Sequence, residues 1–171
     1  MIPKKELVSV RTFLKKDRLI IKISLFEKVM ERLATLSQIQ VLPMLSTQET
    51  DKGVRIPMDA RLMVRILNAP DYFMGMQIQI SLNNVQGRYY PYLYCVLIAK
   101  KEAGFFEKRF GLLNNPPRGI LFEKTKSNDV DICVIRQETT RNSGYHTDRQ
   151  KAVSIVFSAL KLAKEYLGIW G

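Results

Sequence analysis

The sequence predicts an α+β fold: a mainly antiparallel sheet of consecutive hairpins, a long C-terminal helix packed on it, and a strand-strand-helix element at the N-terminus. Three observations lead there. Met76, Ile78, Ile80 and Leu82 alternate with Gln77, Gln79 and Ser81, the period of a strand with one face in a core. The runs "ILFEKT" and "VDICVIRQ" flank the turn-forming "KSND" and read as a hairpin. Ala152, Ile155, Val156, Ala159, Leu160, Ala163 and Leu167 make one broad stripe at helical spacing. A half-dry sheet and a one-striped helix can each bury the other's apolar side.

Taken in order, "ELVSVRTFL" and "RLIIKIS" flank Lys16 and Asp17 and read as two short strands joined tightly. Ser24 and Glu27 have capping-box spacing, in which the serine oxygen and the glutamate each satisfy an otherwise free N–H of a helix start. A helix is therefore expected from Ser24 to about Gln38, with Leu25, Val29, Leu33 and Leu36 on one face. "IQVLPML" reads as a strand ended or bulged by Pro43. The polar "STQETDKG" reads as a mobile loop or a boundary, so residues 1–171 are expected to form one domain, with 1–45 a candidate N-terminal lobe joined by 46–53.

"PMDARLMVRIL" fits either period, and Asp59 as a cap favours a short helix. The strand of residues 76–82 then turns at Asn83, Asn84 and Gly87, and "RYYPYLYCVLIAKK" returns as its partner. "GLLNNPPRG" is a loop by composition. Thr147 and Gln150 form a second capping box, opening a helix from about Asp148 to Leu167.

Charge is the bulk property that points toward function. Lys and Arg total 27 against 16 Asp and Glu, a formal net charge of +11, which favours nucleic acid or another polyanion as partner. The excess lies in the flanks, since residues 71–99 carry only Asp71 and Arg88. The apolar run "YYPYLYCVLIA" is about half of what a spanning helix needs, and no secretory signal pattern opens the chain, so a cytoplasmic protein without membrane contact is expected. Cys95 and Cys133 both fall in strand-like runs and read as buried reduced thiols.

Among residues that carry chemistry, His146 is the only histidine, and it precedes the C-terminal helix with Arg141, Gly144, Arg149 and Lys151 around it. Cations beside a helix start suit an anion, and these five residues form a candidate anion site. Tyr90, Tyr92 and Tyr94 share one face of a strand bounded by Arg88, Lys100 and Lys101, a candidate platform for stacked bases; the competing expectation is a central strand covered on both faces. Ser143 has no nucleophile-elbow pattern around it. Asp129 and Asp131 share a strand face, but Glu138 falls on the other, and no acid is followed two residues later by lysine as in many metal-dependent nucleases. Zinc, P-loop and dinucleotide-binding motifs are absent, so no metal and no cofactor are expected. The leading expectation is a binding module for an anionic partner such as nucleic acid. Two alternatives stay open: a small metal-dependent hydrolase or nuclease using Asp129, Asp131 or His146, and a protein-protein or homodimerisation module using the Tyr-rich hairpin.

Overall fold

The computed structural model describes residues 17–104, 115–140 and 144–169. Helix α1 (Asp17–Leu33) precedes strands β1 (Ile39–Glu49), β2 (Arg55–Ile66), β3 (Phe73–Val85) and β4 (Arg88–Lys100). A short 3₁₀ turn (Lys101–Ala103), strands β5 (Ile120–Lys126) and β6 (Val130–Gln137), and helix α2 (Arg149–Leu167) complete the order. The strands form one six-stranded sheet in the order β1-β2-β3-β4-β6-β5, every neighbouring pair antiparallel. The expected α+β architecture is therefore present, with both helices on one face.

Alternation builds the core. Leu62, Ile78, Cys95 and Ile135 stand opposite one another across four strands and are all buried. Leu33 and Val29 of α1, and Ile155, Ala159 and Ala163 of α2, belong to the same buried cluster. The alanines have little side chain to keep α2 off β4 and β6, so the helix sits close to the sheet. Cys95 and Cys133 are free and buried, and burial pushes the Cys133 thiol up to about 12. Among the described residues, no helix is long and apolar enough to cross a membrane.

Several expectations give way at the N-terminal end. "RLIIKIS" lies inside α1 rather than in a strand, because the apolar period of 3.6 runs unbroken from Leu19 through Phe26 and Val29 to Leu33 and outweighs the strand preference of three isoleucines. Ser24 is therefore no cap: its hydroxyl donates to the Ile21 carbonyl one turn back (3.1 Å). The strand expected over "ELVSVRTFL" lies outside the described residues. "STQETDKG" is no long loop either, since β1 runs to Glu49 and the chain turns over Thr50–Gly53 into β2.

"PMDARLMVRIL" lies in strand β2 up to Ile66 and is not a helix, with Leu62, Val64 and Ile66 buried and Arg61 and Arg65 exposed on the alternate positions. Pro43 sits opposite Leu62 on edge strand β1, where a missing N–H need not break a ladder. The β3–β4 reversal is also tighter than expected. Asn83 and Asn84 remain in strand β3, and only Gln86 (φ 52°) and Gly87 (φ 79°) form the loop, both in the left-handed region that matches hairpin twist.

Candidate functional site

The site residues meet at the corner where β6 ends and α2 begins. Beyond Gln137, β4 finds another partner: Thr147 N–H donates to the Pro91 carbonyl (2.8 Å), and Leu93 N–H donates to Thr147 Oγ1 (3.0 Å). Thr147 Oγ1 in turn donates to Gln137 Oε1 (2.9 Å), and Gln137 Nε2 donates to the carbonyls of Gly144 and His146. Gln137 and Thr147 are only 3% and 1% exposed, so this polar pair is a buried clasp. Gly144 completes it: with φ at +88°, a Cβ there would lie 2.5 Å from the Glu138 carbonyl oxygen.

The clasp settles which residue caps α2. The N-cap is Asp148, whose Oδ1 accepts from the Lys151 N–H (2.7 Å), and not Thr147, whose hydroxyl is spent inside the corner. A carboxylate thus already occupies the positive end of the helix. The cations left for an outside anion are side chains, and they divide. Arg149 lines a cavity of about 450 Å³ with Ile21, Tyr89, Tyr90, His146 and Asp148. Lys151 lines a second one of about 330 Å³ with Gly119, Gln137, Glu138 and Thr140. His146 and Asp148 border both, forming the ridge between them. Arg141 and Ser143 lie outside the described residues.

The same corner joins the two candidate sets that the sequence kept apart. The exposed His146 ring meets Tyr90 edge-on at a centroid distance of 5.8 Å, and Tyr145 packs edge-on against Tyr90 at 5.2 Å. Asn83 Nδ2 donates to the Tyr145 carbonyl (2.8 Å), tying the loop to β3. On the helix side, the Arg18 guanidinium lies 4.1 Å from the Tyr89 ring centre and donates to its hydroxyl.

Tyr90, Tyr92 and Tyr94 point to the sheet face opposite the helices and are half-buried, so the expectation of a strand covered on both faces is not met among the described residues. The phenols of Tyr92 and Tyr94 are engaged in cross-strand hydrogen bonds. Tyr94 donates to Gln79 Oε1 (2.8 Å), and burial together with the charge of Asp59 pushes its phenol above the ordinary value. Tyr92 donates to the Gln137 carbonyl (3.1 Å) and accepts from Arg136 Nη1 (3.1 Å). Arg136 also holds Glu123 in a two-pronged ion pair, and this hydrogen bonding lowers the Glu123 carboxyl.

Other candidates stand apart. Arg88 is exposed beside the β3–β4 turn, while Lys100 and Lys101 border a cavity of about 640 Å³ with Asp129 at the opposite end of β4. That separates Arg88 from Lys100 by roughly 40 Å at strand rise. Asp131 is buried on the helix side opposite Ala99, and neither carboxylate oxygen has a hydrogen-bond partner among the described residues. It lies roughly 20 Å or more along β4 from the His146 corner, so those two groups do not share a reacting centre. Glu138 is exposed just past the end of β6. Among the described residues, no three His, Cys, Asp or Glu side chains gather where they could hold a metal ion.

Two arginines were missing from the sequence-derived set. Met63 pairs with Gln77, and Gln77 with Val96, so Arg61 and Arg65 share the face of Tyr94. The signal was the alternation Arg61-Leu62-Met63-Val64-Arg65, hidden by the helical reading of this segment. Comparison with known families, with curated proteins and with solved structures finds no match for the chain.

Proposed function

We propose that the protein is a binding module for single-stranded nucleic acid, held across the outer sheet face and the His146 corner. One observation carries this reading: Tyr90, Tyr92 and Tyr94 stand on the face that neither helix covers, with Arg136 beside Tyr94 on β6 and Arg61 two strands away on β2. Arg61 falls one step beyond the last β2–β3 pair, which puts Arg61, Gln79, Tyr94 and Arg136 in one row, about 14 Å from end to end at ordinary strand spacing. Rings give bases a surface on which to stack, and exposed cations follow the phosphates. The net charge of +11 supplies the long-range attraction such a partner needs.

The test is fluorescence anisotropy with a labelled single-stranded oligonucleotide, titrated at several salt concentrations. Affinity is expected to fall steeply with salt and to fall further in Arg61→Ala and Arg65→Ala. Binding that is absent, or unchanged between low and high salt, overturns the reading.

A second reading rests on a different part of the same face. Val96, Ile98, Ile132 and Val134 form a contiguous half-buried apolar block on β4 and β6, a surface suited to a second copy of the chain. Sedimentation equilibrium decides it, since a Val134→Lys variant is then expected to turn a dimer into a monomer.

A further inference from the structure

The cavity of about 450 Å³ at the corner falls in the size range of small-ligand sites. Its lining narrows the guest. Tyr89, Tyr90 and His146 contribute rings and Ile21 an aliphatic wall, surfaces that suit a flat aromatic body rather than a bare anion. Two arginines stand at this lining: Arg149 borders the cavity, and Arg18 is already seated on Tyr89. They disfavour a cationic guest of the kind aromatic cages otherwise take, and they suit a guest with a negative charge at one end. A planar ring carrying a phosphate meets both conditions.

Asp148 then selects among rings. One of its oxygens caps α2, and the carboxylate lines the cavity without an ion pair among the described residues. A carboxylate only accepts hydrogen bonds. Guanine offers it two adjacent N–H donors on its pairing edge, whereas cytosine and adenine each offer one amino group beside an acceptor nitrogen. We infer that this cavity takes one guanine base of the bound strand, with the ring packed against the Tyr90–His146 pair, the pairing edge toward Asp148 and the phosphate toward Arg149 and Arg18. The inference rests on the nucleic-acid reading and adds to it a base preference and a place.

Calorimetric titration of the full chain with GMP, AMP, CMP, UMP and inorganic phosphate tests it, alongside anisotropy with a uridine heptamer carrying or lacking one guanosine at an end. GMP is expected to bind about tenfold more tightly than the other nucleotides, and the guanosine to tighten heptamer binding by a similar factor. Asp148→Asn keeps a good helix cap, so it isolates the carboxylate; it is expected to erase the guanine preference while heptamer binding persists. Tyr90→Leu is expected to weaken all four nucleotides. If the heptamer binds with steep salt dependence but guanosine adds nothing, or Asp148→Asn leaves the preference intact, the guanine site is overturned and the nucleic-acid reading stands. Inorganic phosphate competing as well as GMP also overturns it. No binding of any heptamer overturns both.

Discussion

Replacing Thr147 by valine removes one hydroxyl while keeping the side chain's shape, and the corner states what that hydroxyl does. Thr147 Oγ1 accepts from Leu93 N–H at 3.0 Å and donates to Gln137 Oε1 at 2.9 Å, in a position 1% exposed. Valine leaves the Leu93 N–H and the Gln137 oxygen buried and unpaired, each at a cost of about 1–3 kcal/mol. The new methyl returns about 0.8 kcal/mol of burial. The net expectation is a loss of about 1–5 kcal/mol, a large part of the roughly 5–15 kcal/mol by which a domain is stable. Urea unfolding reads it as a lower midpoint at unchanged slope. Thr147→Ser is the control: it keeps both hydrogen bonds, loses only a methyl, and is expected to cost about 1 kcal/mol. Should valine prove milder than serine, packing rather than the hydrogen bonds holds this corner, and the clasp is refuted.

The remaining predictions address neighbouring features. Gly144→Ala places a Cβ 2.5 Å from the Glu138 carbonyl oxygen at a φ of +88°, so it is expected to lower stability by at least about 2 kcal/mol, read as a drop in Tm. Glu123→Gln removes the partner of Arg136 on an exposed edge, with an expected cost under about 1 kcal/mol at pH 7. Because the Arg136 hydrogen bond lowers the Glu123 carboxyl, its contribution is present above the unfolded carboxylate range and is lost as pH falls through the folded value. The wild-type advantage over Glu123→Gln is thus expected to shrink in acid, and an advantage that grows there refutes the pairing. Cys95 and Cys133, with thiols raised by burial, are expected to resist an aromatic disulfide reagent in the native protein and to react at once in denaturant.

The sequence made the middle and the end of the fold legible for a physical reason. Strand β3 buries one face only, so alternation is written directly into residues 76–82, β6 is marked as a run beside the turn-forming "KSND", and α2 buries a stripe wide enough to announce itself. The N-terminal part was obscured because its local signals compete. Ile20, Ile21 and Ile23 favour strand, yet tertiary packing on Leu19, Phe26 and Val29 makes a helix. The alternation in β2 is present, but Met63, Ile66 and Leu67 also fit a helical period, so the segment alone does not decide between them. At the site, His146 and Tyr90 lie 56 positions apart, and no local pattern reports their contact. The capping error had a subtler source. Thr147 and Asp148 are both good caps, and only the Gln137 side chain, ten positions from Thr147, draws the threonine inward and leaves the aspartate at the helix end.

The three hairpins of the sheet are joined by seams of unequal width. Strands β1 and β2 pair along eleven positions, but β2 meets β3 at only three, Leu62 to Val64, whereas β4 meets β6 at seven. The outlying Lys22–Asp59 ion pair, at 2.5 Å, is a further tie between α1 and the β1–β2 ribbon. Backbone amide exchange is therefore graded along the chain rather than uniform. Protons of the ribbon beyond Asp59 escape by local opening, at a small fraction of the free energy that guards Met76, Leu97 and Ile135. The outer half of the ribbon can peel and reseat without the rest of the molecule taking part, whereas the two hairpins that bear the tyrosines and Arg136 hold or fail as one body.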